Sequence, residues 1–326
     1  MPGRWRYRTA TLAALAAVLL AAAGVAIGLS LNSSSSAPPA AKTATTPRVH
    51  TSTGTGHTPH PQPSHAAGNG GPAVPPATGA LGRNSGSAAG WITDQVSPGT
   101  VVACDPQMCS ELRAYGFPGQ QEAHLGANSQ SLSGASLVAV TPPLRTLFAR
   151  GSAGNEVAPV VLASWGSGSA LVTIQPVDPA GGSAYQAALS KDVQQRIQLG
   201  QELLNSGRVS AAPKARHALA VGEVDPRILL AIKAVVRQLP VKIAGFSNLG
   251  PGAGPGVPFR TANFVATDLS TGLPPVAYQH QLIALLRAHA TSYPVLHATP
   301  ITMRNGQRAV QIVYGAPSPL GLLGPS

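Results

Sequence analysis

The two cysteines, Cys104 and Cys109, are the residues whose type and spacing are best suited to chemistry. Asp105 has the character of a helix N-cap and Pro106 that of a first helical residue. Side chains just before the cap and at the fourth helical position meet in the hydrophobic staple, which suits the Cα separation of about 4.4–6.8 Å in disulfides. We therefore expect a structural disulfide, with two reduced buried thiols or a redox-active pair as alternatives. The usual redox spacing C-x-x-C is absent.

The other reactive side chains form no recognisable catalytic, cofactor-binding or metal-binding set. The chain contains no G-x-S-x-G, S-x-x-K, H-E-x-x-H or Walker sequence, and no close carboxylate pair suggests glycoside cleavage. Two cysteines without nearby histidines are too few for a zinc site. We therefore predict no cofactor and no metal. The histidines of the folded region are expected to be surface or half-buried residues: His124, His217, His280, His289 and His297.

A glycine-rich segment, Gly250 to Pro258, superficially resembles a phosphate-binding loop. Its prolines, Pro251 and Pro255, remove backbone donors, and no helix start follows. We expect a mobile surface loop there instead.

An uncharged apolar run of 20 residues, Leu12 to Leu31, has the length of a transmembrane helix. Arg4, Arg6 and Arg8 precede it and favour a cytoplasmic N-terminus, residues 1–11, with an extracytoplasmic C-terminal part. A cleaved signal peptide is the alternative, and it would give a secreted protein. Both interpretations export the rest of the chain, so the partners expected are the membrane and a cell-wall polymer or an envelope protein.

Residues 32–89 are rich in Ser, Thr, Pro, Gly and Ala and predict a disordered linker. The histidines within it, at positions 50, 57, 60 and 65, are irregularly spaced and are interpreted as polar linker residues. The net charge is +11, and six of the 22 basic residues but none of the 11 acidic ones precede Asp94. The chain from Asp94 onward therefore has 16 basic and 11 acidic residues. That small excess in an exported part does not predict nucleic-acid binding.

The folded region predicts an α/β fold with a mixed sheet and helices packed on it. It divides into two α/β subdomains, 90–180 and 181–317, followed by a tail at 318–326. Asp225-Pro226 repeats the helix start of Asp105-Pro106, and Asn305-Gly306 predicts a β-hairpin. The predicted strands are 100–104, 136–141, 160–165, 170–177, 241–246, 260–267, 295–303 and 307–314, and the predicted helices are 91–96, 106–115, 143–149, 183–205, 226–239 and 275–291.

The run AAGWITDQVSPGTVVACDPQMCSELRAYGFP resembles the start of the soluble tail domains of actinobacterial membrane glycosyltransferases. The whole of 90–326, including VDPRILLAIKAVVRQLPVKIAGF and APSPLGLLGP, resembles a family of uncharacterised actinobacterial membrane-anchored extracytoplasmic proteins. A fainter similarity, around Asp225 to Asp268, is to the fold of zinc D-Ala-D-Ala carboxypeptidases. Here the corresponding loop SNLGPGAGPGVPF has no histidine, so the resemblance does not carry over the metal ligands.

These observations favour a non-catalytic, membrane-anchored module that binds an envelope component or a partner protein. A second hypothesis is a cell-envelope hydrolase or a glycan-processing accessory enzyme whose site has no motif. A third is a structural spacer. A cleft containing a carboxylate or histidine with a strongly shifted pKa would favour the enzyme, and a tightly packed domain without a pocket would favour the spacer.

Overall fold

The computed structural model describes residues 79–266, 272–289 and 295–324. The predicted membrane segment, the residues before it, most of the predicted linker and the linker histidines lie outside the described residues. In the part of the chain that the structure describes, no helix is long and apolar enough to cross a bilayer.

The fold is mixed α/β, as predicted, and it contains two five-stranded mixed sheets. The first sheet has the order β2-β1-β3-β5-β4, in which β1 runs parallel to β2 and β3, while β5 is antiparallel to β3 and β4. Its elements are α1 (Ala80–Gln95), β1 (Val102–Cys104), α2 (Pro106–Ala114), β2 (Glu122–His124), β3 (Leu137–Val140), α3 (Pro142–Phe148), β4 (Ala163–Trp165) and β5 (Val172–Pro176).

The second sheet has the order β6-β7-β8-β10-β9, and only its β6–β7 pair is parallel. The predicted hairpin across Asn305-Gly306 is confirmed by the antiparallel pairing of β9 with β10. The elements are α4 (Gly182–Asn205), β6 (Val209–Ala211), α5 (Pro213–Ala220), α6 (Pro226–Val235), β7 (Val241–Ser247), β8 (Thr261–Val265), α7 (Pro275–His289), β9 (His297–Thr302) and β10 (Arg308–Val313).

Both predicted Asp-Pro helix starts are confirmed. The Asp105 side chain accepts hydrogen bonds from the backbone N–H groups of Gln107 and Met108, and Asp225 accepts one from Arg227. A carboxylate in this position satisfies donors that a helix N-terminus leaves free.

The predicted end of the linker at Ala89 is wrong, because α1 begins at Ala80. The small residues of this segment suggested a linker, but they allow close packing. Ala88 and Ala89 are fully buried. A Cβ placed on Gly86 would lie only 3.3 Å from the hydroxyl of Tyr115, the residue just after α2, and one placed on Gly90 would lie 3.2 Å from its ring.

The glycine-rich segment is held against the edge of the first sheet, which corrects its interpretation as a mobile loop. Ser164 N donates to Pro251 O at 2.6 Å, and Gly254 N donates to Val161 O at 2.8 Å. Gly250 approaches so closely that a Cβ there would lie 2.3 Å from the carbonyl oxygen of Leu162. Its glycines therefore allow the backbones of the two halves of the chain to come into direct contact.

The predicted tail packs on the folded region as far as Gly324. Gly321 N donates to Asp192 Oδ1 at 3.1 Å, and Gln195 Nε2 donates to Gly324 O at 2.5 Å. The tail thereby covers the middle of α4.

Candidate functional site

A groove of about 700 Å³ opens where β1 and β3 end. These strands are parallel neighbours, yet β2 comes between them in the sequence. The chain leaves β1 towards α2 and β2 on one side, and it leaves β3 towards α3 and the antiparallel strands on the other. In open α/β sheets such a switch point beyond the carboxyl ends of the strands is where ligands bind.

The walls of the groove combine apolar side chains with a few polar ones. One wall is the loop 125–130, and the other is α3 with the turn that follows it. Its polar side chains are Asn128, Ser129, Gln130, Thr146 and Arg150, and its larger apolar side chains are Leu125, Leu144 and Leu147. A mostly apolar cleft with a few convergent hydrogen-bonding groups is the usual composition of a small-molecule site.

Asp105 and Thr141 tie the two strand ends together beside the groove. Asp105 Oδ1 accepts the N–H of Gln107 at 2.9 Å and of Met108 at 3.0 Å, while its Oδ2 accepts the hydroxyl of Thr141. Both side chains are buried. Because its two oxygens are occupied by these donors, Asp105 fixes the spacing of α2 and α3 and is not a free acid or base.

The lining offers recognition rather than covalent chemistry. Among the described residues that line it, none is a histidine, a cysteine, a lysine or a tyrosine. Ser129 Oγ accepts the N–H of Gly126, and Thr146 donates to the carbonyl of Pro142. Neither hydroxyl contacts a base that could activate it as a nucleophile.

A second group of polar side chains lies inside the protein, around Asp225. Arg227 binds this carboxylate with two hydrogen bonds of 2.9 and 2.7 Å, and its Nη2 also donates to Gly315 O at 2.7 Å. The Ser318 hydroxyl donates to Asp225 at 2.5 Å. The guanidinium lies 5.0 Å from the centre of the Tyr314 ring, close enough for a cation–π contact.

Arg260 connects this interior cluster to the end of α1. Its Nη1 donates to Gln95 O at 3.1 Å, and its guanidinium stacks 5.5 Å from the centre of the Trp91 ring. Burial lowers the pKa of Arg260 to about 10, and the nearby Asp225 opposes that shift. Arg260 thus holds the first half of the chain against the second.

Asp192 and Arg196 complete the cluster on α4. Arg196 Nε lies 2.8 Å from Asp192 Oδ2, and both residues are 1% exposed. Burial raises the pKa of Asp192 and lowers that of Arg196, and each charge only partly offsets the burial of the other. Burial and the Asp192 carboxylate raise the pKa of the neighbouring Tyr185 to about 12.

The interior cluster has no room for a substrate. The cavity beside Arg196 and Arg260 measures about 20 Å³, which is space for about one water molecule. We therefore assign the cluster to holding the two halves together and take the groove as the candidate binding site.

Cys104 and Cys109 are not among the residues that line the groove, and their sulfurs are at disulfide distance (2.04 Å) with their Cα atoms 5.4 Å apart. The helix start between them produces the close approach that the sequence predicted. The sequence did not predict His124 nearby, because it gave no sign of β2. In the structure, strand register places His124 directly beside Cys104.

The other histidines form no site with the groove. His124 is exposed and lies 3.2 Å from Glu122, and His217 is on α5, His280 on α7 and His297 on β9. His289 is the last residue of α7. Among the described side chains, none of His124, His217, His280 and His297 lines the groove.

Comparison with protein-family models, with curated proteins and with solved structures finds no match for this chain. The resemblances noted in the sequence therefore stay predictions.

Proposed function

We propose that this chain is a non-catalytic, membrane-anchored extracytoplasmic module that binds a saccharide of the cell envelope in the groove between β1 and β3. The observation that carries the proposal is the groove itself, which lies at a topological switch point and lacks a catalytic set among the described residues. The predicted anchor and linker would present this groove at a distance from the membrane.

The groove chemistry favours a saccharide as the envelope component. The amides of Asn128 and Gln130 supply both donors and acceptors, which match sugar hydroxyls. The partly exposed Leu147 offers an apolar surface for the C–H face of a sugar ring, with the buried Leu144 beside it in the lining. The side chains of Asn128 and Arg150 are exposed and make no hydrogen bond to any other described residue, so both can bind a ligand.

Removing these two side chains should weaken saccharide binding without unfolding the protein. Each hydrogen bond to a ligand contributes about 1–1.5 kcal/mol, and a charged donor more, so Asn128→Ala and Arg150→Ala should each raise Kd about tenfold. Calorimetric titration of the full-length chain in detergent micelles with oligosaccharides released from the cell envelope measures this change.

Matched control variants are Asn205→Ala and Arg237→Ala, which remove the same side-chain types from exposed positions in the second half of the chain. Neither control should change Kd. The proposal fails if no oligosaccharide binds, or if groove and control variants lose affinity equally.

A reporter fusion tests the predicted location independently. A reporter enzyme that works only outside the cytoplasm should be active when it is fused after Asn69, because three arginines precede an uncharged apolar run. Fractionation should recover the fusion with the membrane if Leu12 to Leu31 is an uncleaved anchor. An inactive reporter would refute the extracytoplasmic assignment.

A further inference from the structure

Three side chains that can bind metal converge beneath α2, outside the groove. The sulfurs of Cys104 and Cys109 and a carboxylate oxygen of Glu122 all lie within 4.8 Å of one another. Both cysteines are fully buried, and the Glu122 side chain has no exposure.

The parallel pairing of β1 with β2 brings these groups together. The register pairs Val102 with Glu122 and Cys104 with His124. Paired residues of adjacent strands project to the same face of a sheet, and residues two apart share that face. Glu122, His124 and Cys104 therefore share one face, and α2 covers it and adds Cys109 from its first turns.

One oxygen of Glu122 lacks a donor. Its Oε2 is bound by Arg113, at 2.9 Å, and lies 3.2 Å from His124 Nε2. Its Oε1 is buried and has no hydrogen-bond partner among the described residues. A buried carboxylate oxygen without a donor is costly, and a cation is one way to satisfy it.

We propose that Cys104, Cys109, Glu122 and His124 form a tetrahedral site for Zn²⁺ or a similar thiophilic divalent cation when the two cysteines are reduced. Two thiolates, a carboxylate oxygen and an imidazole are all zinc ligands. Zinc bonds of about 2.0–2.3 Å place ligand atoms about 3.3–3.8 Å apart, so the two sulfurs, now 2.04 Å apart, must separate, while the Glu122 oxygen already lies within 4.8 Å of both. The His124 side chain is 52% exposed, so its ring can turn from Glu122 towards the metal.

The oxidation state of the cysteines decides whether the site exists. A dithiol reductant transfers two electrons, the sulfur–sulfur bond breaks, each sulfur takes a proton, and the reductant closes into its own disulfide. Binding of the cation then releases both protons, because the thiolate is the metal ligand. Oxidation of the two thiolates by a disulfide-containing oxidant would expel the cation and restore the bond.

Cobalt titration of the full-length chain in detergent micelles tests this proposal. Alkylation without reduction should first label neither cysteine, which defines the oxidised sample. The protein reduced with a phosphine should develop the thiolate-to-cobalt band and the intense visible bands of tetrahedral Co²⁺, and added Zn²⁺ should remove both. The oxidised protein should show none of these bands.

Two variants and one control identify the ligands. Glu122→Gln and His124→Asn should each weaken cobalt binding at least about tenfold, since even groups that only support a ligand change metal affinity by about 10–100-fold. Glu111→Gln changes a carboxylate on α2 outside the cluster and should leave the affinity unchanged. Circular dichroism confirms that each variant is folded.

Cobalt bands of equal strength in the oxidised protein would overturn the proposal. So would reduced Glu122→Gln and His124→Asn variants that bind cobalt like the unaltered chain, because the cation would then be held by thiolates alone. Absence of the bands from the reduced, folded protein would overturn it directly.

Discussion

Replacing Asp225 with alanine is expected to lower the free energy of unfolding by about 3–5 kcal/mol, the cost of breaking a buried ion pair by removing one partner. Asp225 is fully buried, and the Arg227 side chain that binds it is only 8% exposed. Without the carboxylate, Arg227 keeps its charge in a site that excludes water. The charge of Arg260, which Asp225 also stabilises, loses its nearest compensation.

The same substitution removes two further interactions. Asp225 caps α6 by accepting the N–H of Arg227, and it accepts the hydroxyl of Ser318 from the C-terminal segment. Loss of a helix cap alone costs about 1 kcal/mol. Asp225→Ala should therefore both destabilise α6 and weaken the attachment of the C-terminal segment at Ser318.

Urea unfolding of the full-length chain in detergent micelles, followed by tryptophan fluorescence, measures the expected loss. Asp94→Ala is the control, because Asp94 is exposed at the end of α1 and should change stability by less than about 0.5 kcal/mol. If Asp225→Ala lowered the free energy of unfolding by less than 1 kcal/mol, the interior cluster would not hold the two halves together as we describe.

Local sequence signals predicted the parts of this fold whose cause is local. The Asp-Pro pairs cap their own helices, and Asn305-Gly306 forms its own turn, so neither depends on distant residues. The α/β class followed from the alternation of such elements. By contrast, the strands β2 and β6 were missed, because neither is a run of buried apolar residues and both are strands only through pairing with β1 and β7.

The candidate groove could not be predicted for a related reason. Its walls, 125–130 and 143–151, face each other only because β3 crosses to the far side of β1. The hydrogen bond between Asp105 and Thr141 depends on the same crossing. His124, the proposed metal ligand, was predicted only to be a surface or half-buried residue, because its proximity to the cysteines depends on the unrecognised β2.

Glycine-rich and alanine-rich segments were misread for a different reason. Low side-chain bulk predicted a linker up to Ala89 and a mobile loop near Gly250, but it can equally permit close packing. The sequence shows the small residues and does not show the partner. In the structure the partners are Tyr115 for α1 and the edge of β4 for the glycine-rich segment.

The pair Asp192 and Arg196 shows how spacing alone misleads about burial. Oppositely charged residues four apart on a helix usually indicate a solvated face. Here the glycine-rich segment, Gly250 to Pro258, and the C-terminal segment cover that face, and both residues are buried. The pKa of Asp192 is raised and that of Arg196 is lowered, because burial disfavours each charge more than the partner's opposite charge favours it.

Replacing only one member of this pair should therefore destabilise the fold more than replacing both. Asp192→Leu leaves the buried guanidinium of Arg196 without its carboxylate, at a cost of about 3–5 kcal/mol. The double variant Asp192→Leu, Arg196→Met removes both buried charges and should recover at least about 2 kcal/mol of that loss, although Gly321 N and Gly222 O lose their partners.

Urea unfolding of the unaltered chain, both single variants and the double variant gives the coupling energy between the two positions. Glu202→Ala is the control on the same helix, because Glu202 pairs with Lys233 at a half-exposed site and should change stability by no more than about 1 kcal/mol. A double variant whose loss equals the sum of the two single losses would give a coupling energy of zero, and Asp192 and Arg196 would then not stabilise each other. A double variant more stable than Asp192→Leu would establish that the two charges stabilise each other, and only a double variant more stable than the unaltered chain would establish that the ion pair is a net cost to the fold.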